Sequence, residues 1–343
     1  MHTKIQAGIN MKSGKVTGNA YKRSVLKPIT YKRDEVVSGA GVGADCAIFA
    51  VPEGYLLTSC MQEAAVAVEA DMGFVIGHCA NRLAAAGAAP VAAIIGIVLP
   101  ESAQEPELKQ WIVLAQGALK ELNMQLAGAH ATVSKAVKCA FVTVSVYGMI
   151  PKSYDDKAAL PKAAPGQDIV ISKWIGLEGS AMLAREYKES LLSRYPAYLI
   201  EEAEGFAQYL SVIPEAAVAV KSGACAMQNV SEGGIFAALW ELAERSGVGL
   251  TIDLKKLPIR QETVEICEHI GGNPYILLSG GCLIMTAADG QLLVDALEKA
   301  GIPARIVGKI TDSKERLILN EDEVRYMDRP AEDEIYRLLS ERN

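Results

Sequence analysis

The stretch that most constrains the fold is the apolar run VAAIIGIVLP at residues 91–100, which follows an alanine-rich segment at residues 73–89. That segment has one charged residue and ends in glycine and proline signals, a pattern typical of a buried helix. The run after it is shorter than the roughly 20 residues of a membrane span and predicts a strand buried on both faces. A helix followed by such a strand indicates an α/β (α+β) protein.

The same alternation continues along the chain. Residues 106–123 have the spacing of an amphipathic helix, and residues 138–150 alternate like a strand. The stretch 151–168 holds three prolines and mixed charge, which indicates a domain boundary. Beyond it we expect a long helical stretch at residues 198–222. We also expect helices at GSAMLAREYKESLLSRY, GIFAALWELAERSGV and GQLLVDALEKAG, and strands at IVISK, GLTIDL, YILLS, CLIMTA and ARIVGKI.

A chain of 343 residues is long for one hydrophobic core, so two domains are expected. We place them at residues 35–157 and 158–343, behind a basic arm at residues 1–34. The arm carries eight lysines and arginines against the single acid Asp34, and we expect it to precede the first regular element. The short apolar runs before and after Pro52-Glu53-Gly54 predict a hairpin.

Composition excludes several classes of protein. The formal charge is −7, and lysines and arginines are spread along the chain, so we expect no nucleic-acid partner. The apolar runs are too short for a membrane span, and the amino terminus lacks the apolar core of a secretory signal. We therefore expect a cytoplasmic protein, in which the seven cysteines are free thiols.

Two glycine-rich stretches have the features of a phosphate site. In GAGVGADCAIF, residues 39–49, the glycines can expose backbone amides to an anion, and Asp45 can hold a divalent cation. In LAGAHATVSK, residues 126–135, small residues predict a loop, at the end of a buried helix, that lets phosphate approach. Its His130 suits softer metals than magnesium. A glycine turn entering a hairpin is the alternative for the first stretch.

Two further stretches place a glutamate beside a small-residue turn at a predicted helix start. These are GLEGSAMLA with Glu178 and NVSEGGIFAAL with Glu232. Helix starts offer amides and a positive dipole end to anions. Either glutamate can equally be a capping-box acid.

Together and in this order, the stretches resemble a superfamily of ATP-using enzymes. It includes aminoimidazole ribonucleotide (AIR) synthetase, formylglycinamidine synthetase, selenophosphate synthetase, thiamine-monophosphate kinase and the hydrogenase-maturation dehydratase HypE. The resemblance covers roughly residues 11–330 and is nearest to HypE-like, AIR synthase-related proteins. Its cues are KSGKV, GVGADCAIF, NRLAAAGAAPVAA, LAGAHATVSKAVK, ISKWIGLEGSAMLA and NVSEGGIFAAL.

The resemblance implies a two-domain PurM-like fold that forms a homodimer. Its amino-terminal domain has a dimerising mixed sheet with helices, and its carboxy-terminal domain is an α/β sandwich. It also implies that magnesium-ATP lies in a cleft, where acids hold the phosphates through metal ions and a glycine-rich arm covers them.

Several metal-ligating acids of the superfamily are replaced here, although Asp45 and Glu232 match. Where relatives have Ser-Thr-Asp, Asn-Asp-Leu-Ala, Gly-Gly-Asp-Thr and Asp-Val-Thr-Glu-Gly-Gly, this chain has Thr58-Ser59-Cys60, Asn81-Arg82-Leu83-Ala84, Gly128-Ala129-His130-Ala131 and Asn229-Val230-Ser231-Glu232-Gly233-Gly234. The usual two-metal clamp cannot be built from these residues. HypE relatives also end in a cysteine that receives the carbamoyl group, whereas the printed sequence ends LLSERN, so we do not expect the HypE dehydration.

Three functions follow as hypotheses. The favoured one is a HypE-like, ATP-binding protein with altered or lost phosphoryl transfer. The second is an active ATP-dependent enzyme that phosphorylates or dehydrates a small amide or acid with Mg²⁺. The third is a repurposed thiol or soft-metal site for zinc, iron or nickel.

The candidate residues fall into three groups. The catalytic candidates are Asp45 and Glu232. The nucleotide-binding candidates are Lys12, Lys15, Gly41, Gly43, Asp45, Asn81, Arg82, Gly128, His130, Glu178 and Gly233. The metal candidates are Asp45, Cys60 and His130.

Overall fold

The computed structural model describes residues 11–44, 46–66, 69–152 and 162–340, with the side chains of residues 65, 66 and 69–71 left out. The chain divides into two compact units. The first comprises Met1–Leu83 and Ala88–Asp156, and the second comprises Ala84–Gly87 and Lys157–Asn343.

The first unit is built on a five-stranded mixed sheet in the order β1-β6-β5-β7-β4. Strands β5 and β6 are parallel, and the other neighbours are antiparallel. The strands are β1 (Gly14–Lys15), β2 (Val36–Ser38), β3 (Ile48–Phe49), β4 (Tyr55–Val66), β5 (Ala89–Leu99), β6 (Gln125–Val133) and β7 (Ala140–Pro151). The helices are α1 (Gly18–Tyr21), α2 (Glu69–Ala85) and α3 (Glu105–Glu121), with a π-helical turn at Lys22–Leu26.

One face of this sheet is covered by helices and the other is half-exposed. On β7, Val142, Val144 and Val146 are buried, whereas Thr143 and Ser145 between them are half-buried. Strand β5 shows the same alternation, so the expectation that it is buried on both faces is wrong. Helices α2 and α3 supply the buried apolar side chains Met72, Val75, Ile76, Leu83, Leu108, Ile112 and Leu119.

The described part of the basic arm is folded, which corrects the expectation that it precedes the first regular element. Strand β1 lies within it and pairs with β6, with Lys15 opposite Thr132. Farther along, Arg23 donates to both carboxylate oxygens of Glu105, at 2.9 and 2.7 Å. Strand pairing and this double hydrogen bond hold the segment against the sheet and α3.

The hairpin expected around Pro52-Glu53-Gly54 does not form. Strand β3 pairs with β2 in a separate small sheet, while β4 pairs with β7 over all twelve of its residues, from Tyr55 to Val66. Phe49 of β3 stacks on Tyr147 of β7, with ring centroids 5.1 Å apart. Turn residues predict only the local geometry of the chain. They do not show that β4 pairs with the longer strand β7 instead of the short strand β3.

The second unit is an α/β layer structure around a seven-stranded sheet in the order β14-β13-β10-β12-β8-β11-β9. Its strands are β8 (Asp168–Ser172), β9 (Ala224–Asn229), β10 (Gly249–Asp253), β11 (Leu283–Ala287), β12 (Ala304–Thr311), β13 (Arg316–Asn320) and β14 (Glu323–Tyr326). Its helices are α4 (Leu177–Glu186), α5 (Lys188–Leu192), α6 (Ala197–Glu204), α7 (Ile213–Lys221), α8 (Gly234–Ser246), α9 (Gln261–Ile270), α10 (Gly290–Lys299) and α11 (Glu334–Ser340). Short 3₁₀ turns lie at Gly205–Tyr209 and Leu254–Lys256.

Helices pack on both faces of this sheet. Helix α8 buries Ile235, Leu239 and Leu242 with one set of strand residues, and α7 and α10 pack with the other set. A third cluster joins α4, α6, α9 and α11 around residues such as Phe206 and Ile266. Each fully buried aliphatic or aromatic side chain contributes roughly 1.5–3 kcal/mol relative to exposure.

Two elements of the second unit differ from expectation. The segment YILLS, residues 275–279, is a buried loop instead of a strand, and the helical stretch at 198–222 is broken into α6, a 3₁₀ turn and α7. In the loop, the carbonyl of Tyr275 accepts from the amide of Phe236, and that of Leu278 accepts from the amide of Gly179. The apolar run is therefore buried by contact with two helices and not by strand pairing.

An ion pair lies inside the second unit. The ammonium of Lys173 lies 2.5 Å from Oε1 of Glu215, and both residues are buried. The same ammonium donates to the carbonyls of Tyr209 and Ser211 at 2.6 and 2.7 Å. Among the described helices of both units, none is long and apolar enough to cross a bilayer.

Candidate functional site

The first unit contains a cavity of about 370 Å³. Three segments form its wall: the start of the chain around β1 and α1, the glycine-rich loop before β3, and strand β6. Five residues selected from the sequence line it together, namely Lys15, Gly41, Gly43, Gly128 and His130. Residues more than 100 positions apart in the chain therefore meet where a phosphate site was expected.

His130 lies on a strand, which corrects the expectation of a loop after a buried helix. Strand β6 runs parallel to β5, with His130 opposite Gly96, and β1 covers its other edge. A Cβ at Gly128 would lie 3.3 Å from the side chain of Ile94, so a larger residue there requires that side chain to shift slightly. The glycine and alanine residues suggested a loop, but in the structure they permit close packing within the sheet. Their small side chains also leave space beside β6 for the cavity.

Hydrogen bonds hold the first wall segment against β6. The phenol of Tyr21 donates to the carbonyl of Ala129 at 2.8 Å, and the amide of Val16 donates to the carbonyl of Ala131 at 3.1 Å. Burial raises the pKa of the Tyr21 phenol, so it stays a protonated donor at neutral pH. Tyr21 could not be predicted as part of the site, because one tyrosine after a short polar stretch carries no motif.

The glycine-rich loop makes a tight turn at the cavity. The amide of Ala44 donates to the carbonyl of Gly41 at 3.3 Å, and Gly43 between them has φ of 75°, a conformation that glycine adopts without strain. Asp45 follows the turn directly but lies outside the described residues. Its catalytic, nucleotide-binding and metal-binding roles stay predictions.

The charges on the cavity wall are few. Among its described lining residues, Lys15 is the only one with a fixed charge, and none is aspartate or glutamate. His130 is exposed, and its Nδ1 lies 3.4 Å from Oγ1 of Thr132. The wall thus offers a cation to an anion, and it offers no described carboxylate to a metal ion.

Cys60 and His130 do not share a site. Strand pairing places His130, Gly96, Thr143 and Glu63 in one row across the four strands from β6 to β4. Residues in such a row have their side chains on the same face of the sheet. Cys60 is three residues from Glu63 on the same strand, and side chains alternate along a strand, so Cys60 points to the opposite face of the sheet. Within residues 11–44, 46–66, 69–152 and 162–340, no group of three or more His, Cys, Asp or Glu side chains could hold a metal ion.

Three other nucleotide-binding candidates of the first unit do not line the cavity. Lys12 is exposed near the start of the described chain, and Arg82 is exposed on α2. Asn81, beside Arg82, is buried. Helix α2 packs on the face of the sheet that carries Cys60, which is the face opposite His130.

The candidates of the second unit lie at two helix starts. Glu178 is buried in the first turn of α4, and Gly280 packs directly against its carboxylate. Glu232, just before α8, is exposed and accepts a hydrogen bond from the phenol of Tyr336 at 3.2 Å. Gly233 forms the left-handed amino-terminal cap of α8, with φ of 76°.

The start of α8 is already occupied by the chain itself. The amide of Gly233 donates to Oδ2 of Asp333 at 2.6 Å, and the amides of Leu278 and Ile335 donate to Oδ1 at 3.1 and 2.8 Å. Burial raises the pKa of the Asp333 carboxyl, although these three donors oppose the rise. Asp333 could not be predicted as part of this site, because a residue that caps its own short helix gives no signal that it also caps a helix 100 positions away.

Known proteins share parts of this sequence. Residues 164–320 match the family of AIR synthase related proteins, C-terminal domain. Over 285 residues the chain is 26% identical to the carbamoyl dehydratase HypE of Cupriavidus necator, which covers 79% of this chain and 77% of the relative. Residues 164–320 are thus similar to AIR synthase related proteins, and the similarity to HypE extends over most of the chain. A putative hydrogenase expression/formation protein of Methanocaldococcus jannaschii is 25% identical over 244 residues, 70% of each chain.

Solved structures share the fold. Escherichia coli HypE has a TM-score of 0.76 at 17% identity, covering 94% of this chain and 100% of that one. A HypE solved in complex with ATP has a TM-score of 0.74 at 16% identity, covering 92% and 95%. A thiamine-monophosphate kinase from Stenotrophomonas maltophilia has a TM-score of 0.68 at 20% identity, covering 91% and 99%. The PurM-like fold expected from the sequence is confirmed.

Proposed function

We propose that this HypE-like protein binds ATP in the cavity of its first unit and that its phosphoryl-transfer activity is altered or lost. The observation that carries the proposal is the cavity wall, on which Lys15 and the glycine turn face β6 without a described carboxylate. A relative of the same fold was solved in complex with ATP. These features fit recognition of phosphate by a cation and backbone amides.

Each residue of the cavity wall contributes to ATP binding in a different way. Lys15 provides the positive charge for the phosphates, and the turn at Gly41 and Gly43 presents backbone toward the same space. Gly128 has no side chain, so it leaves space for the ligand next to β6. The protonated Tyr21 phenol positions the strand by binding the carbonyl of Ala129, so it acts on the wall and not on the ligand.

Magnesium does not fit the described part of this wall. Mg²⁺ takes oxygen ligands, usually from one or two carboxylates together with substrate phosphates. The described lining residues supply an ammonium and an imidazole and no carboxylate, and Asp45 is the one acid adjacent in sequence.

Calorimetric titration with ATP and its slowly hydrolysed analogue AMP-PNP tests the proposal. We expect binding both with Mg²⁺ and with EDTA, and no ADP formation when small amides or acids are added. Binding that requires Mg²⁺, together with ADP formation that Asp45→Ala abolishes, would instead establish the active ATP-dependent enzyme. Absence of binding under both conditions would refute the nucleotide proposal altogether.

We also propose that the protein forms a homodimer through the half-exposed face of its first sheet. Leu57 and Met61 point to this face from β4 and are 44% and 57% exposed. Strand β4 is a twelve-residue sheet edge, which proteins usually cover. Met61→Lys should shift the sedimentation coefficient toward that of a monomer, whereas Val113→Lys, at an exposed apolar position on α3, should not. A wild-type monomer at all concentrations would contradict the proposal.

A further inference from the structure

Two thiols of the first unit lie together on the helix-covered face of its sheet. Cys60 is on β4 and is half-buried, and Cys79 is on α2 and is fully buried. Sγ of Cys60 donates to the backbone carbonyl of Cys79 at 3.1 Å. Sγ of Cys79 in turn donates to the carbonyl of Val144 at 3.7 Å. The edge strand and the helix above it thus bring one thiol against the residue that carries the other.

The two thiols differ in acidity. The neighbouring Cys79 thiol, and after it the guanidinium of Arg82, lower the pKa of Cys60 and outweigh the effect of burial. Contact with Cys60 and burial raise the pKa of Cys79. One thiol of the pair is therefore the more acidic and partly open to solvent, and its neighbour keeps its proton in the core. A low-pKa, accessible cysteine beside a second cysteine is the usual arrangement of a redox-sensing pair.

We propose that Cys60 and Cys79 form a reversible disulfide when the protein meets hydrogen peroxide. In the first step the Cys60 thiolate attacks the peroxide oxygen. An S–O bond forms, the O–O bond breaks, and the leaving hydroxide takes up a proton to become water. In the second step the Cys79 sulfur attacks the Cys60 sulfur of the sulfenic acid. An S–S bond forms, the S–O bond breaks, and a second water leaves with the thiol proton.

The second step requires a change at Cys79. The largest influence that keeps the proton on Cys79 is its contact with Cys60. Closure then requires the Cys79 thiol to leave the carbonyl of Val144 and turn toward Cys60.

The remaining described cysteines lack this combination. Cys46 and Cys139 are exposed, but neither has a second thiol against it among the residues that the structure describes. Cys225 is half-buried, and its Sγ donates to the carbonyl of Gly223 at 3.7 Å. Cys267 and Cys282 are buried, and burial raises the pKa of each thiol to about 12. Exposure alone therefore predicts oxidation at Cys46 and Cys139, whereas the geometry predicts disulfide formation at Cys60 and Cys79.

The disulfide would join β4, through Cys60, to α2, through Cys79. Helix α2 also carries Asn81 and Arg82, so the disulfide would tether the helix that holds them to the edge strand. This proposal does not depend on nucleotide binding, so either can fail without the other.

The test uses the full chain and hydrogen peroxide in slight molar excess at neutral pH. We expect two of the seven thiols to be lost, a peptide linking Cys60 to Cys79 in a non-reducing digest, and full recovery with dithiothreitol. Cys79→Ser should stop at the sulfenic acid, so that dimedone labels Cys60. Cys139→Ser is the matched control and should form the disulfide like the wild type.

Two results would overturn the proposal. One is oxidation of Cys46 and Cys139 without a Cys60–Cys79 peptide in the wild type. The other is dimedone labelling of Cys60 in Cys79→Ser that is no faster than that of the exposed Cys139. Because the wild-type digest needs no variant, it remains decisive even if Cys79→Ser folds poorly.

Discussion

Replacing Lys15 with alanine removes the one fixed charge found on the described wall of the cavity. Two unit charges 4 Å apart interact by about 1 kcal/mol in bulk water and by about 4 kcal/mol at the effective dielectric of a protein surface. Lys15 is exposed, so the lower part of this range applies. We expect a loss of about 1–2 kcal/mol in binding free energy, which raises the Kd for ATP roughly 5–30-fold.

The assay is calorimetric titration with ATP at low ionic strength, with Lys12→Ala as the matched control. Lys12 lies three residues away, is equally exposed and does not line the cavity, so its replacement should change the Kd little. The Lys15→Ala variant should also lose part of the salt dependence of binding, because salt screens exposed charges. Equal effects of the two variants would show that general positive charge, and not the position of Lys15, attracts the nucleotide.

The remaining predictions concern stability. Glu215→Ala leaves the buried ammonium of Lys173 without its partner and should lower the free energy of unfolding by about 3 kcal/mol in urea titrations, because an uncompensated buried charge is costly. Lys188→Ala breaks an exposed ion pair and should cost under about 1 kcal/mol; equal losses would contradict the argument. The hydrogen bonds from Arg23 hold the pKa of Glu105 below its usual value of 4.5. This contribution is present above that pH and is lost as the pH falls through the lowered pKa, so Arg23→Ala should flatten the acid side of the stability profile. An unchanged profile would show that the pair does not stabilise the fold.

Apolar spacing predicted the positions of several elements. Strand β7 and helices α3 and α8 occur where it placed them, and the apolar run at β5 is a strand, although one of its faces is half-exposed. Strand β6 was missed because its small residues resemble a loop, and only pairing with β1 and β5 explains them. The buried loop at residues 275–279 was missed for the opposite reason, since an apolar run predicts burial but not the partner that provides it.

The candidate site was predictable in part. The order of the glycine-rich stretches indicated Lys15, Gly43 and Gly128, which the fold brings to one cavity. A pattern of residue types cannot show which face of a sheet a side chain occupies, so Cys60 and His130 were grouped although they point in opposite directions. The neighbour of Cys60 proved to be Cys79, nineteen residues along the chain and on another element.

Where the nucleotide binds is tested most directly by two glycine substitutions on the same face of the first sheet. Gly128→Val places methyl groups in the cavity, whereas Gly96→Val adds the same groups at a neighbouring strand position that does not line it. Thermal unfolding shows whether each variant keeps its fold. We predict that Gly128→Val loses ATP binding in the calorimeter while Gly96→Val binds like the wild type. ATP binding by folded Gly128→Val at the wild-type Kd would contradict the assignment of the nucleotide to this cavity.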